Sequence, residues 1–288
     1  MDHIGSSANG DCARVAPAAI AVAPNGGRRG KADHPRLPLT ADELARDASA
    51  CLAVGAAMIH LHVRTRDGAH CLDADAYRAA TAAIRAAVGE RLVVQISSEA
   101  LGLYSPAEQR AAARATRPEA ISLALRELVP DASEEAAFAE FLEWMKCERI
   151  LPQIILYAPA EAVRLDELRR RGAIPWPDVP VLYVLGRYGA GEAARPADLL
   201  PFLALEQPRF AHWSACAFGR RETACAVAAA IFGGHVRVGF ENNLFLPDGR
   251  MADDNAALVA AARGALESCG LSLCSADALR GALASLLD

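Results

Sequence analysis

Gly55-Ala56-Ala57-Met58-Ile59-His60-Leu61-His62-Val63-Arg64 is an apolar run that closes on two histidines and an arginine. Residues 57–63 read as a short buried strand. Alternate side chains of a strand share a face, so His60 and His62 point the same way, with Arg64 following on that face. Two imidazoles side by side at a strand end can chelate one metal ion. They can equally be core histidines bonded to backbone carbonyls, and the pair alone does not decide between the two.

Outward from this run, apolar and amphipathic stretches alternate along the chain. Strand-like runs occupy 18–23, 57–63, 92–96, 120–123, 153–157, 181–185, 211–215 and 235–240. Helix-like runs lie between them. One covers 41–54, with Thr40 and Glu43 spaced for a capping box, and another covers 73–88. The next begins at Ser105-Pro106, with proline at the first helical position. Ser133 is placed to cap the one containing Phe138, Phe141, Leu142 and Met145. Further runs span 159–171, 196–205, 221–232 and 254–267, and 275–287 is an extra terminal helix. Eight strand-then-helix units make a parallel sheet, and eight is the number that closes a barrel. An open doubly wound sheet is the alternative, but no G-x-G-x-x-G follows the first strand. The expected fold is a single α/β domain over 15–288, a (β/α)8 TIM barrel with an added C-terminal helix. Residues 1–14 are polar, lack the apolar core of a signal peptide and read as a disordered tail.

The 288 residues are 53% hydrophobic and 23% charged, the balance of a globular chain, and no apolar run is long enough to span a membrane. A net charge of −5 argues against nucleic acid or an anionic membrane as partner. None of the eight cysteines forms a C-x-x-C pair, which points to reduced thiols in a cytoplasm rather than a disulfide framework or zinc ribbon.

A barrel of this type carries its chemistry at the carboxyl ends of the strands. That rule selects Asn25, Arg28, Arg29 and Lys31 after the first strand, and His60, His62 and Arg64 on the second. It selects Ser97, Ser98 and Glu99 on the third, and Ser122 with Arg126 and Glu127 on the fourth. The sixth strand offers Arg187, the seventh Ser214 and Arg220, and the eighth Arg237, Glu241, Asn242 and Asn243. The eighth strand neighbours the first in a closed barrel, so Glu241 can meet His60 and His62. Two imidazoles and a carboxylate with an open position are the donor set of catalytic zinc, and they also suit iron, manganese or cobalt. The many cations at the mouth suggest an anionic substrate, although Arg66 and Arg221 read as solvated rim charges. Arg237 sits inside an apolar strand and needs a buried partner or a ligand. His34, His70, His212 and His235 read as structural, His70 on a surface turn. Trp213 and Phe218 read as packing beneath the active-site loops.

GAAMIHLHVR at 55–64, QISSE at 95–99, Ala217-Phe218-Gly219-Arg220 and GGHVRVGFENN at 233–243 resemble the β-keto acid cleavage enzymes, and the resemblance runs from Ile20 to about Ala262. It implies a zinc-dependent TIM barrel, a homotetramer, that condenses a β-keto acid with acetyl-CoA to give acetoacetate and a new acyl-CoA by a retro-Claisen reaction. It puts the metal on His60, His62 and Glu241. Catalytic roles are implied for Ser97, Asn242 and the buried Arg237. Substrate contacts are implied near Asn25, Arg28, Ser97, Ser98, Glu99 and Ser122, with Arg187 and Arg220 for CoA phosphates or a substrate carboxylate. Three departures stand out. The best-known member, acting on 3-keto-5-aminohexanoate, reads the substrate amino group with an acid in the first loop, where this chain has Arg28. It has an aspartate where this chain has Asn242, and glutamates on the fifth strand where this chain has Gln153 and Ile155. The implied substrate is therefore a different small anionic β-keto acid. Two other readings stay open: a metal-dependent hydrolase that also uses H-x-H in a barrel, and a catalytically weak ligand-binding homologue. The hydrolase reading lacks histidines on the fifth and sixth strands.

Overall fold

The computed structural model describes residues 16–187 and 194–287. The tail expected over 1–14 lies outside them. The barrel strands are β1 (Ile20–Val22), β2 (Met58–Leu61), β5 (Val93–Ser97), β6 (Ala120–Ala124), β7 (Leu151–Leu156), β8 (Val181–Leu185), β9 (Trp213–Ala217) and β10 (His235–Val238). They pair in parallel in the closed order β1-β10-β9-β8-β7-β6-β5-β2, so the chain is a (β/α)8 barrel. Strands β3 (Val63–Arg64) and β4 (His70–Cys71) form a separate antiparallel pair. The helices are α1 (Ala41–Ala53), α2 (Ala74–Val88), α3 (Pro106–Thr116), α4 (Leu125–Leu128), α5 (Glu135–Cys147), α6 (Pro159–Arg170), α7 (Leu200–Leu203), α8 (Glu222–Ile231), α9 (Asn255–Ser268) and α10 (Ala276–Ala282).

Local chemistry accounts for the boundaries. Thr40 with Glu43, and Ser105 with Glu108, close reciprocal capping boxes that satisfy the first amides of α1 and α3. Every residue of β2, β5, β6 and β8 is buried, as expected for strands covered on both faces. Leu279 on helix α10 and Leu283 just past its end face the strand starts at Ala19, Met58, Trp213 and His235, so this terminal segment covers the amino end of the barrel. Trp213 thus lies at the end opposite the active-site loops, contrary to expectation, while Phe218 does face them. No helix among the described residues is long and apolar enough to cross a membrane.

Several elements depart from the sequence reading. The second strand stops at Leu61 rather than running to 63. The Asn25 side chain takes both the amide of His62 (3.2 Å) and its carbonyl (2.8 Å), which withdraws that residue from the ladder. The helix expected over 196–205 is a 3₁₀ turn, Pro196–Leu199, followed by the single turn α7. Pro201 explains the break, since it donates no amide and crowds the preceding turn. Asp131, not Ser133, opens the segment before α5: its carboxylate accepts from the Ser133 amide, and a 3₁₀ turn precedes the helix. The seventh strand starts two residues later than expected, so Ser214 is near its beginning and inside the barrel rather than at its mouth. The terminal helix likewise splits into α10 and a 3₁₀ turn, Ala284–Leu286.

Two buried carboxyl groups make stability depend on pH. Burial raises Asp47 to about 7, against donation from Asn255, and raises Glu222 to about 8, against donation from the Gly239 amide and Asn243. Their ordinary values are 3.8 and 4.5, so between those values and the raised ones the unfolded chain releases protons that the folded chain keeps. The contribution of these two groups is therefore full at low pH and is lost as pH rises through the raised values. Each unit of upward shift is worth about 1.4 kcal/mol. Burial of His60 and His70, lowered to about 3 and about 4, gives the opposite slope up to their ordinary 6.5, so the melting temperature is expected to drop between about pH 6.5 and pH 8.5, and Asp47→Asn to flatten part of that drop. A melting temperature that climbs across the range contradicts the assignment.

Candidate active site

The site begins where β2 and β10 end. Strand β2 delivers His60 to the barrel mouth and His62 follows one residue past its end, both 1% exposed. After β10 the chain turns at Gly239, whose φ is +137°. A Cβ there would come within 2.4 Å of the Ala23 carbonyl oxygen, so only glycine lets the chain pass that close to β1. The Glu241 amide then bonds the same carbonyl, which anchors the carboxylate facing the histidines.

Three donor atoms converge. His60 Nε2 and His62 Nε2 are 3.2 Å apart, and Glu241 Oε2 lies 3.5 Å from the first and 3.4 Å from the second. A tetrahedral ion with bonds of about 2.0–2.1 Å separates its ligands by about 3.3 Å. The triangle therefore has the dimensions of one face of a zinc-like coordination sphere, and the donor set suits a divalent cation. The three residues are buried and close enough to hold a single ion.

The surroundings tune these donors. Burial lowers His60 to about 3, with Glu241 opposing, so its imidazole is neutral and able to ligate. Burial disfavours the charge of Glu241, but Arg237, His60 and His62 outweigh it and hold the carboxyl well below its usual range. Arg237 is 4% exposed. Its Nη2 donates to Glu241 Oε1 (2.9 Å), Asn242 Oδ1 (3.3 Å) and Cys216 Sγ (3.3 Å). Cys216 and Glu241 outweigh burial and keep the guanidinium charged. Its Nε and Nη1 have no hydrogen-bond partner among the described residues. Glu99 Oε2 sits 3.7 Å from His62 Nδ1, and burial raises its carboxyl.

Above the donors opens a cleft of about 340 Å3. Its walls carry Arg28, Ser97, Glu99, Ser122 and Arg187, which sequence position also selected, with His60, His62, Arg237 and Glu241 in the same cleft. Other selected residues are placed elsewhere. Asn25 holds the carbonyls of Pro38 and His62 and so positions a histidine instead of facing the cleft. Ser98 donates to the Ser122 carbonyl. Arg220 stacks over the Phe245 ring, 4.2 Å from its centroid. Asn242 is fully buried behind Arg237 and does not line the cleft. Arg64, expected beside the histidines, instead gathers the carbonyls of Gly26, Arg29 and Gly68 and staples the first loop to the second.

Two features were not legible from the residues alone. His70 is buried, not on a surface turn: the β3–β4 pair folds it back so that Nε2 bonds the Glu99 carbonyl and its ring lies 5.5 Å from that of His62. Tyr157 lines the cleft one residue past β7, with the Arg126 guanidinium 3.8 Å from its ring centroid. Its place just beyond a strand end was the available signal. Arg126 also pairs with Glu161 at 2.8 Å, so it stiffens the wall.

Comparison with known proteins agrees with this geometry. The family profile described as beta-keto acid cleavage enzyme (BKACE) matches residues 17–284. The 3-keto-5-aminohexanoate cleavage enzyme of Acetoanaerobium sticklandii is 30% identical over 234 residues, 80% of this chain and 84% of that protein. The 3-oxoadipate:acetyl-CoA acetyltransferase of Cupriavidus necator is 27% identical over 262 residues, 88% of this chain and 90% of that protein. Among solved structures, the binary complex of ObcA with oxaloacetate superposes with a TM-score of 0.67 at 17% identity, covering 86% of this chain and 67% of that one, a likeness of fold. With a profile match over nearly the whole chain and a buried His-His-Glu cluster at the barrel mouth, the protein belongs to the β-keto acid cleavage enzyme family.

Proposed function

We propose that the chain is a divalent-metal-dependent enzyme, with zinc the preferred ion, that transfers the acyl part of a β-keto acid to CoA. The keto acid and acetyl-CoA react so that the bond between C2 and C3 of the acid breaks. The C2 fragment joins the acetyl carbon as acetoacetate, and the CoA sulfur takes the remaining acyl group. The observation that carries this reading is the His60–His62–Glu241 triangle at the floor of an arginine-walled cleft. A cation held there supplies Lewis-acid polarisation of the keto oxygen.

The chain's own residues supply the rest. Arg237 keeps its charge and has Nε and Nη1 available to stabilise negative charge developing on the reacting oxygen. Ser97 and Ser122 line the cleft, and the Ser122 hydroxyl has no partner among the described residues, so the pair suits the substrate carboxylate. Asn242 cannot take a proton and does not reach the cleft. Glu99, beside the triad but not within it, is the carboxylate suited to receive the C2 proton. Arg28 and Arg187 on the walls favour a second anionic group, on the substrate tail or on CoA. The relative named as acting on 3-oxoadipate, a diacid, supports the same preference.

Acetoacetate release from β-keto acids of matched length, each with acetyl-CoA, tests this. A diacid is expected to exceed its amino-bearing counterpart by about tenfold or more in kcat/KM, the equivalent of about 1.4 kcal/mol. Arg28→Glu should narrow or invert that ratio, since it exchanges attraction for repulsion at one end of the substrate. A wild-type preference for the amino-bearing acid would overturn the substrate assignment.

A further inference from the structure

The interior of a (β/α)8 barrel is usually filled by apolar side chains from alternate strands. Here three alternate strands, β5, β7 and β9, contribute Gln95, Gln153 and Ser214, and these join into a single chain of hydrogen bonds. His60 Nδ1 lies 2.8 Å from Gln95 Oε1, Gln95 Nε2 3.2 Å from Gln153 Oε1, and Gln153 Nε2 3.0 Å from Ser214 Oγ. Ser214 Oγ is 3.3 Å from the Val181 carbonyl oxygen. Gln95 and Ser214 are buried and Gln153 is half-buried, and an apolar layer would fill this space without the cost of desolvating them, so the polarity calls for a reason.

A run of amides between a hydroxyl and an imidazole has two self-consistent directions. In one, each amide donates away from His60 toward Ser214, and Nδ1 of His60 carries the hydrogen. In the other, Ser214 donates toward His60, every amide is turned over, and the hydrogen sits on Nε2. The second direction turns Nε2 into a donor aimed at His62 Nε2, 3.2 Å away, and removes the lone pair a metal needs. The Val181 carbonyl breaks the tie because it can only accept. If Ser214 gave its one hydrogen to Gln153, its oxygen would face the carbonyl oxygen lone pair to lone pair.

We infer that Gln95, Gln153 and Ser214 are positioning residues: an oriented relay, anchored on the Val181 carbonyl, that holds His60 protonated on Nδ1 and presents Nε2 as a metal donor. The inference rests on the metal-site reading above for its purpose, but its tautomer claim stands apart from it. Outer partners of ligating histidines fix ring orientation and tautomer, and their loss costs about 10–100-fold in metal affinity. Such partners are commonly carboxylates, carbonyls or water. In this chain a neutral amide does the task, and its direction is set from the far side of the barrel.

The test uses the full chain in two measurements. Imidazole 15N spectra of the metal-free protein, with His60 assigned by its loss in His60→Ala, report which nitrogen carries the hydrogen. Nδ1 is expected in the wild type and a mixture of both forms in Ser214→Ala. Zinc affinity by chelator competition is expected to weaken about 10–100-fold in Gln95→Leu. Gln95→Glu should stay within about threefold of wild type, because a carboxylate still accepts from Nδ1 of His60. A wild-type His60 protonated on Nε2, or a Gln95→Leu affinity within about twofold of wild type, overturns the relay. A wild type that carries Nδ1–H yet binds no zinc overturns the metal-site reading and leaves the tautomer assignment standing.

Discussion

Replacing His60 or His62 with alanine is expected to abolish tight metal binding. Each supplies one of three donors whose separations, 3.2, 3.4 and 3.5 Å, match a single ion. Losing a donor must cost more than the about 10–100-fold that loss of an outer partner costs. Turnover should fall with it by on the order of 10³-fold, because the strongest source of carbonyl polarisation is gone. Either substitution leaves a cavity in the barrel mouth, so a melting curve belongs beside the metal analysis. The informative result is a folded variant with little bound metal. A folded His62→Ala protein that retains stoichiometric metal would mean that the ion, if any, sits elsewhere.

Arg237→Met is expected to act on both stability and turnover. The guanidinium is buried and its Nη2 serves Glu241, Asn242 and Cys216 together. Removing one partner of a buried pair leaves the other charge uncompensated, at a cost of about 3–5 kcal/mol. A bound cation beside Glu241 offsets part of that, so metal-loaded protein should lose less than metal-free protein. In turnover, loss of a fixed donor beside the developing oxyanion costs about 10²–10³-fold. Arg237→Lys should recover little, because a single ammonium cannot reproduce the planar fork whose Nη2 reaches Glu241 while Nε and Nη1 have no partner among the described residues. Turnover of Arg237→Met within about threefold of wild type would remove Arg237 from the reaction.

These substitutions fall on residues that the sequence exposed well. A strand with histidines at alternate positions, eight repeats of strand and helix, and an arginine and glutamate closing the last strand led to the barrel and to the metal cluster at its mouth. What stayed hidden depended on where the strands end and which way the chain leaves them. Asn25 and Arg64 stand at strand ends, where barrels keep their chemistry, yet both hold backbone: Asn25 draws His62 out of the ladder and Arg64 ties two loops together. Their polarity was visible, but the carbonyls they satisfy are not written in the residues. His70 looked exposed because Asp67-Gly68 beside it is a turn. The short β3–β4 pair that folds it under the cleft has only two residues on each strand, too few for periodicity to register. Ser214 was off by two residues in depth. A shift of two preserves the face of a strand, so Ser214 still points into the barrel, but its hydrogen bond to Gln153 depends on that depth, which the residues alone do not give.

On the proposed function, the buried His-His-Glu site drives cleavage of a β-keto acid with acetyl-CoA. This is tested most directly by quantifying acetoacetate and acyl-CoA from one reaction mixture, first with the protein as purified, then after chelation, then after zinc is restored. The expected result is equimolar formation of the two products from a 3-oxo diacid, loss of both on chelation and recovery of both with zinc. Product formation that survives complete removal of metal, or a metal-loaded protein that yields no acetoacetate from any acid in the panel, would contradict it.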